Sequence, residues 1–351
     1  MAHPPVHQHS TTTLKSLGEG SLVRLLREVA EISGCRLSPD LGVDDTAVTS
    51  GNLTVPGGAL VWTTDSMQEG THFRFWKALE RIPCSWLGRK LAMTNLSDVA
   101  AKGGKPKYAL LTMGLPPESS ITRIREFLGG LLTTLAEHDV ELLGGDTYGA
   151  ASWNLGLTLV GEVSEGSRVP VRNKGVAGDT VYASGELGAS ARGLHFLELW
   201  QVNPPNQFES WELLPPVVQR HLSPPDRGEL GRALVEIHPR LAMMDLSDGI
   251  LEDAFRLAVA SSCGLEIRWD RLPFAKSLLG SGLNPEQATE LALTGGEDYE
   301  LLFTSPLAED ELAQHLSRLG ITIPCTAIGQ LTASPGMQIT TLDGRIILPE
   351  S

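Results

Sequence analysis

Positive charge is the first thing this chain is short of: 28 Lys and Arg face 42 Asp and Glu over 351 residues, a formal net charge of −14. Without a basic patch to displace counterions, a DNA or RNA backbone is excluded as a partner. Cysteine is also scarce. Cys35, Cys84, Cys263 and Cys325 are scattered and form no CxxC pair, which excludes a zinc ribbon or a disulfide framework. No apolar run reaches the roughly 20 residues a membrane helix needs, and the opening MAHPPVHQHSTTT holds no apolar signal core, so the expected location is the cytoplasm. GxxxxGK[ST] is missing, as is a kinase set of Gly-rich loop and HRD, which removes the usual phosphate cradles.

What is present is an ordinary globular composition, 41% hydrophobic and 20% charged, at a length that predicts about two domains. Residues 1–18 read as a solvated tail. Leu22, Leu25, Leu26 and Val29 recur at helical spacing, with Gly34 placed to stop that helix. Ala59 to Thr64 reads as a strand that delivers Asp65 into the loop behind it. Ala92, Leu96, Val99 and Ala100 define a helix from Trp86 to Ala101, followed by a strand at Tyr108 to Leu115 and a long helix from Ser120. Val140 to Leu143 reads as a short strand ending at Gly144-Gly145-Asp146, and Trp153, Leu155, Leu157 and Leu159 alternate as an antiparallel strand. Charge, Gly and Pro between Gly161 and Gly178 mark a domain boundary, which divides the chain into 19–163 and 164–351.

The second part restarts with a strand at Thr180 to Ser184 and a helix near Ser190. Asn203 to Pro216 is a Pro-rich surface loop or lid candidate. A strand ends at Asp245, with a helix behind Ser247-Asp248. Tyr299 to Thr304, a helix from Leu307 to Leu319, and a hairpin around Asp343-Gly344 complete an α/β order in both halves.

Five aspartate-bearing segments lie beside apolar runs: GVDDTAV, WTTDS, NLSDVAAKGG, LLGGDT and MMDLSDG. A carboxylate so placed is costly unless its charge is compensated. Each segment has an ordinary explanation: a solvated turn at Asp44-Asp45, a strand-end turn at Asp65, a salt bridge from Asp98 to Lys102 or Lys105, a plain Gly-Gly turn before Asp146, and a helix cap at Ser247 or Asp248. Five coincidences are harder to accept than one site, and oxygen ligands in this number suit Mg²⁺ or Mn²⁺ rather than zinc. Mg²⁺ leaves coordination positions to water and phosphate oxygens, which points to nucleotide chemistry.

Taken in order, GVDDTAV, TTDSMQEGTHF, NLSDVAAKGGKPKYALLTMGLP, LLGGDT, MDLSDG and TGGEDYELLFT resemble the thiamine-monophosphate kinases, of the superfamily typified by aminoimidazole ribonucleotide synthetase. The resemblance spans residues 19 to 331. It implies Mg²⁺-dependent transfer of the ATP γ-phosphate to thiamine monophosphate, giving thiamine diphosphate. It implies metal ligation by Asp45, Thr63, Thr64, Asp65, Asp98, Asp146, Asp245 and Asp248, ATP contacts from Gly145, Asp146, Arg172 and Ser247, and acceptor contacts from His72 and Glu297. It also implies a two-domain α/β (α+β) fold whose N-terminal sheets pair into a barrel in a homodimer. The chain departs from the family pattern at Val43 and at Tyr148-Gly149-Ala150, and ends without the aromatic-containing C-terminal segment that relatives pack on the thiamine ring. Two other readings stay open: the same Mg·ATP site serving a different acceptor, or a nucleotide-binding module without catalysis.

Overall fold

The computed structural model describes residues 19–37, 58–164, 168–203, 208–238, 240–341 and 346–347. The tail, Val43, the Asp44-Asp45 pair and Asp343-Gly344 lie outside them. The expected α/β class is found, as two mixed sheets with helices packed on them.

The first sheet holds four strands, β1 (Ala59–Gln68), β2 (Lys105–Leu115), β3 (Glu141–Gly149) and β4 (Asn154–Val163), in the order β1-β4-β2-β3. Only the β2–β3 pairing is parallel. Three helices accompany this sheet: α1 (Glu19–Ser33), α2 (Ser85–Ala100) and α3 (Ile121–Glu137). Gly34 at φ 68° follows α1, as its position predicts. Leu87, Leu91, Leu128, Leu131 and Leu132, all fully buried, interlock α2 with α3, and Leu111, Leu155, Leu157 and Leu159 present the inner face of the sheet to the same core. Each such side chain contributes about 1.5–3 kcal/mol of burial. No described helix covers the opposite face of the sheet: Trp62, Leu110 and Tyr148 are exposed there.

Two strands run further than their hydrophobic pattern predicts. β1 continues through Asp65 to Gln68, so Asp65 stands within a strand and not in a loop. β3 likewise runs through Gly144-Gly145-Asp146 to Gly149. Gly145 makes this possible, because a Cβ there would stand 1.7 Å from the Leu111 carbonyl oxygen. Its missing side chain is used by the approach of β2, not by an open phosphate loop.

The second sheet has seven strands in the order β11-β10-β7-β9-β5-β8-β6, from β5 (Thr180–Ser184), β6 (Met243–Asp245), β7 (Gly264–Arg268), β8 (Leu301–Ser305), β9 (Cys325–Thr332), β10 (Met337–Thr340) and β11 (Ile346–Ile347). β10 and β11 form the antiparallel hairpin expected at that end. The helices of this half are α4 (Ala189–Val202), α5 (Pro216–Leu222), α6 (Gly228–Ile237), α7 (Ile250–Ala260), α8 (Lys276–Gly280), α9 (Pro285–Thr294) and α10 (Glu309–Arg318), of which α4, α5 and α8 bury Leu197, Val217 and Leu278 in the first core. The Pro-rich stretch is not a free lid over its described residues: Phe208 packs on Trp200, and Leu214 is buried in the first core. Helix α2 touches α6 and β6 as well as β1 and β4, so one helix spans the junction between the two halves.

Candidate active site

The C-terminal turns of α2 are where three acids from three elements meet. Asn95, wholly buried, donates from Nδ2 to the Leu91 carbonyl at 2.9 Å and accepts the Asp65 N–H through Oδ1 at 3.1 Å, which ties β1 to the helix. Thr63 Oγ1 donates to Asp98 Oδ2. Ser97 Oγ donates to Asp245 Oδ2 at 2.9 Å, across the junction between the sheets. Weak helix formers near the end of α2 therefore serve as hydrogen-bond partners for neighbouring strands.

Charge in this cluster is poorly compensated. Burial, reinforced by the charge of Asp98, pushes Asp65 up to about 6. Asp245 is pushed up to about 7 by burial first and then by Asp98 and Asp65, against the pull of the Ser97 hydrogen bond. A cleft of about 380 Å³ opens beside them, bounded by Asp98, Lys102, Arg172, Asn173 and Asp245. Lys102 and Arg172 face this cleft but form no ion pair with the acids among the described residues; burial and Arg172 lower the Lys102 pKa while Asp98 and Asp245 raise it. Lys105, the other expected partner of Asp98, instead lies 3.9 Å from Asp139. Among the described residues no three acids, histidines or cysteines close into a ready metal cage. The donor set still fits a hard divalent ion: it is oxygen-only, desolvated and mutually repelling, and the open cleft leaves room for further oxygen ligands.

Other expected site residues fall elsewhere. Thr63 and Asp65 share the inner face of β1, whereas Thr64 projects to the open face, where its Oγ1 accepts from Thr158 at 3.2 Å. The expectation that both hydroxyls face one ion is corrected by the alternation of a strand. Asp146 stands in register with Thr112, which pairs with Gly156, which pairs with Ser66. It is thus three strands from β1, about 14 Å away, and on the open face. Asp248 is exposed and accepts from Arg256. Neither Ser247 nor Asp248 caps α7. Instead Asp253 Oδ2 accepts the N–H groups of Ser247, Asp248 and Gly249 at 3.0, 3.0 and 3.2 Å and shapes the SDG turn.

Glu297 is brought to the cluster by its backbone. Its N–H donates to the Ser247 carbonyl at 2.8 Å, and the Tyr299 N–H donates to the Leu246 carbonyl at 2.9 Å. The Tyr299 hydroxyl pKa is raised by burial first, then by the charges of Glu297, Asp65, Asp245 and Asp98. His72 sits in an exposed turn after β1, its Nδ1 accepting the Gln68 N–H at 3.0 Å. It hydrogen-bonds to no other expected site residue among those described.

Sequence reasoning missed Lys90, His221 and Asp253. Lys90 carried a readable signal: with Leu87, Leu91 and Thr94 it falls on the buried side of an amphipathic period, where an unpaired lysine is not tolerated.

Comparison with known proteins gives the family. Residues 43–163 match the family model of the AIR synthase related protein N-terminal domain, and residues 176–341 that of the C-terminal domain. The chain is 38% identical to a thiamine-monophosphate kinase of Haemophilus influenzae over 84% of its own length and 83% of the relative's. It is similar to the crystal structure of the thiamine-monophosphate kinase of Stenotrophomonas maltophilia, with TM-score 0.74, 30% identity and coverage of 94% and 98% of the two chains. It is similar also to AaThiL in complex with AMPPCP and TMP, with TM-score 0.69, 31% identity and coverage of 97% and 98%.

Proposed function

The chain belongs to the AIR synthase related proteins and, within them, to the thiamine-monophosphate kinases, and from that premise we propose that it transfers the γ-phosphate of ATP directly to the phosphate of thiamine monophosphate, yielding thiamine diphosphate and ADP. The observation that carries this reading is the clustering of Asp65, Asp98 and Asp245, two of which, Asp98 and Asp245, line a cleft with Lys102 and Arg172.

Transfer between two phosphates gathers many negative oxygens in one place, and the protein's task is to neutralise and align them. Asp65, Asp98 and Asp245 would hold Mg²⁺, which when bound supplies charge neutralisation and a template for the phosphate oxygens. Thr63, Ser97 and Asn95 fix the acids and the strand that bears one of them. Arg172 and Lys102 offer N–H donors to the nucleotide phosphates from the rim of the cleft. The acceptor is already anionic at neutral pH, so no dedicated general base is required. Among the residues implied by resemblance, Asp45 lies outside the described residues. Gly145, Asp146, Asp248, Ser247 and His72 are retained as contacts on resemblance alone.

We read residues 19–163 as the metal- and ATP-binding half and 164–351 as its partner domain, working in the cytoplasm. No described helix is long and apolar enough to cross a membrane. We also infer a homodimer joined through the open face of the first sheet. Trp62 at 61%, Tyr148 at 46% and Leu110 at 37% exposure form an apolar strip there, and a second copy would cover it as a barrel. Thr64 and Asp146 would then be enclosed at that interface. Trp62→Glu should yield monomers by light scattering, and a variant that stays dimeric would place the interface elsewhere.

The deciding experiment is an endpoint assay of purified protein with ATP, Mg²⁺ and thiamine monophosphate, resolving the products by chromatography, with free thiamine as control acceptor. Diphosphate formed from the monophosphate alone is expected. ATP binding without product would point to another acceptor or to a module without catalysis.

A further inference from the structure

Behind the acid cluster runs a second polar chain that the proposed transfer does not use. Lys90, two turns before Asp98 on α2, is 1% exposed. Its Nζ lies 3.2 Å from Glu297 Oε1 and 3.2 Å from His221 Nε2. His221, equally buried, sets its Nδ1 3.1 Å from Ser190 Oγ and 3.5 Å from Glu297 Oε2. Burial and the charge of Lys90 keep this imidazole neutral. Nε2 therefore accepts from the ammonium, and the Nδ1–H is directed toward Ser190 and Glu297.

The loop bearing Glu297 is itself constrained. Glu297 and Tyr299 adopt φ of 61° and 50°, the left-handed region that non-glycine residues avoid. Gly296 precedes them, where a Cβ would stand 2.7 Å from the Ser247 carbonyl oxygen. Such a conformation persists when its surroundings determine it from several sides, and here the backbone bonds to Leu246 and Ser247 act from one side and Lys90 from the other. Of this chain of groups, the Glu297 side chain alone is substantially open, at 29% exposure against 1% for Lys90 and His221.

A carboxylate beside the acid cluster, tied to it through the Ser247 backbone, gains nothing from phosphate; it matches a cation. Of the two organic substrates, only thiamine monophosphate carries a fixed positive charge, on its quaternary thiazolium ring. We propose that Lys90 is a positioning residue which, with His221, clamps Glu297 so that its carboxylate faces the cationic ring of the acceptor and selects it over phosphate monoesters that lack a cationic ring. This rests on the kinase reading above.

The test compares wild type, Glu297→Gln, Lys90→Met and the double variant, each checked for folding by circular dichroism. The acceptors are thiamine monophosphate and hydroxyethylthiazole phosphate, whose ring is uncharged. Either single change should raise KM for thiamine monophosphate about tenfold, leave KM for ATP within about twofold, and erode the preference for the charged ring. The double variant should be no worse than Glu297→Gln alone, because Lys90 acts through Glu297. Equal shifts in both KM values, independent effects in the double variant, or a wild type indifferent to ring charge would each overturn the proposal. Should Lys90→Met not fold, His221→Gln with Glu297→Gln carries the same comparison. A wild type that makes no thiamine diphosphate overturns the kinase reading instead. Calorimetric binding of thiamine monophosphate, lost in Glu297→Gln or unchanged by it, then still decides this one.

Discussion

Two carboxylate centres of this molecule are built in opposite ways. Glu300, wholly buried at the start of β8, is met by the guanidinium groups of both Arg220 and Arg227 and by the hydroxyl of Ser184. The carboxylates of Asp98 and Asp245 are met by the hydroxyls of Thr63 and Ser97, and that of Asp65 by the charge of Asp98, with Lys102 and Arg172 standing off across a cleft. A saturated carboxylate has nothing left to offer a ligand, so Glu300 belongs to the architecture. An unsaturated cluster of like charge raises the free energy of the folded chain until a cation arrives, and that is the mark of a site.

The largest effect should come from disturbing the unsaturated centre. Asp98→Asn or Asp245→Asn is expected to cut turnover by about 10²–10³-fold or more while the fold stays intact. Stability should move the other way. The raised folded values of Asp65, to about 6, and Asp245, to about 7, mean that their contribution is fully present below the ordinary carboxylate range near 4 and is lost as pH rises through those values. Metal-free wild type should therefore lose stability between about pH 4 and pH 7, and Asp245→Asn should flatten that fall. Melting curves across this range, with and without Mg²⁺, check it. Full activity in both variants would reduce the acid cluster to architecture and erase the contrast with Glu300.

Disturbing the saturated centre should do the reverse. Glu300→Gln leaves two arginines without their counter-charge in a buried place, a loss of about 3–5 kcal/mol. Denaturant unfolding should register it in full, while KM for ATP and for the acceptor stays near wild type well below the melting temperature. A normal unfolding midpoint would mean that the arginines find other partners, and the distinction between the two centres would need another basis.

The sequence made one of these centres legible and hid the other. Asp98 and Asp245 stood out because each interrupts an apolar pattern whose period is readable: 3.6 residues in α2, and the Leu241 to Met244 run before β6. The extents of β1 and β3 were not readable. Strand termination depends on pairing partners far along the chain, and Gly144-Gly145 reads locally as a turn until β2 is seen lying against it. Alternation along β1 did contain the separation of Thr63 from Thr64, since neighbouring residues of a strand face opposite ways. β7, β9 and the helices α5, α6, α8 and α9 carry short, mixed patterns between Pro and Gly, and only tertiary packing distinguishes them from loops. Glu300 and its arginines come from residues 73 and 80 positions apart, a pairing no local pattern announces.

A third, more exposed pair calibrates both centres. His138 follows the C-terminus of α3, where its Nδ1–H donates to the Thr134 carbonyl at 2.8 Å and its Nε2 lies 3.1 Å from Asp226 Oδ2. The His138 hydrogen bond holds Asp226 down at about 2 against burial, with help from the Gly228 N–H and the charges of His138 and Arg232. Burial lowers His138, but the Asp226 and Thr134 hydrogen bonds outweigh it and the net shift is upward, as a cation at a helix C-terminus also favours. The signs combine simply. Asp226 contributes above its unfolded value near 4 and loses that as pH falls toward 2, whereas His138 contributes below about 6.5 and loses that as pH rises through its folded value. The pair should act at full strength between about pH 4 and pH 6.5. Because the Asp226 side chain is 49% exposed, solvent screening limits Asp226→Asn to about 1 kcal/mol or less at pH 5, shrinking at pH 8 and at high salt. Melting temperatures of the variant and wild type at those two pH values decide it. A penalty as large as that of Glu300→Gln would show that exposure is not what separates a weak ion pair from a strong one in this protein.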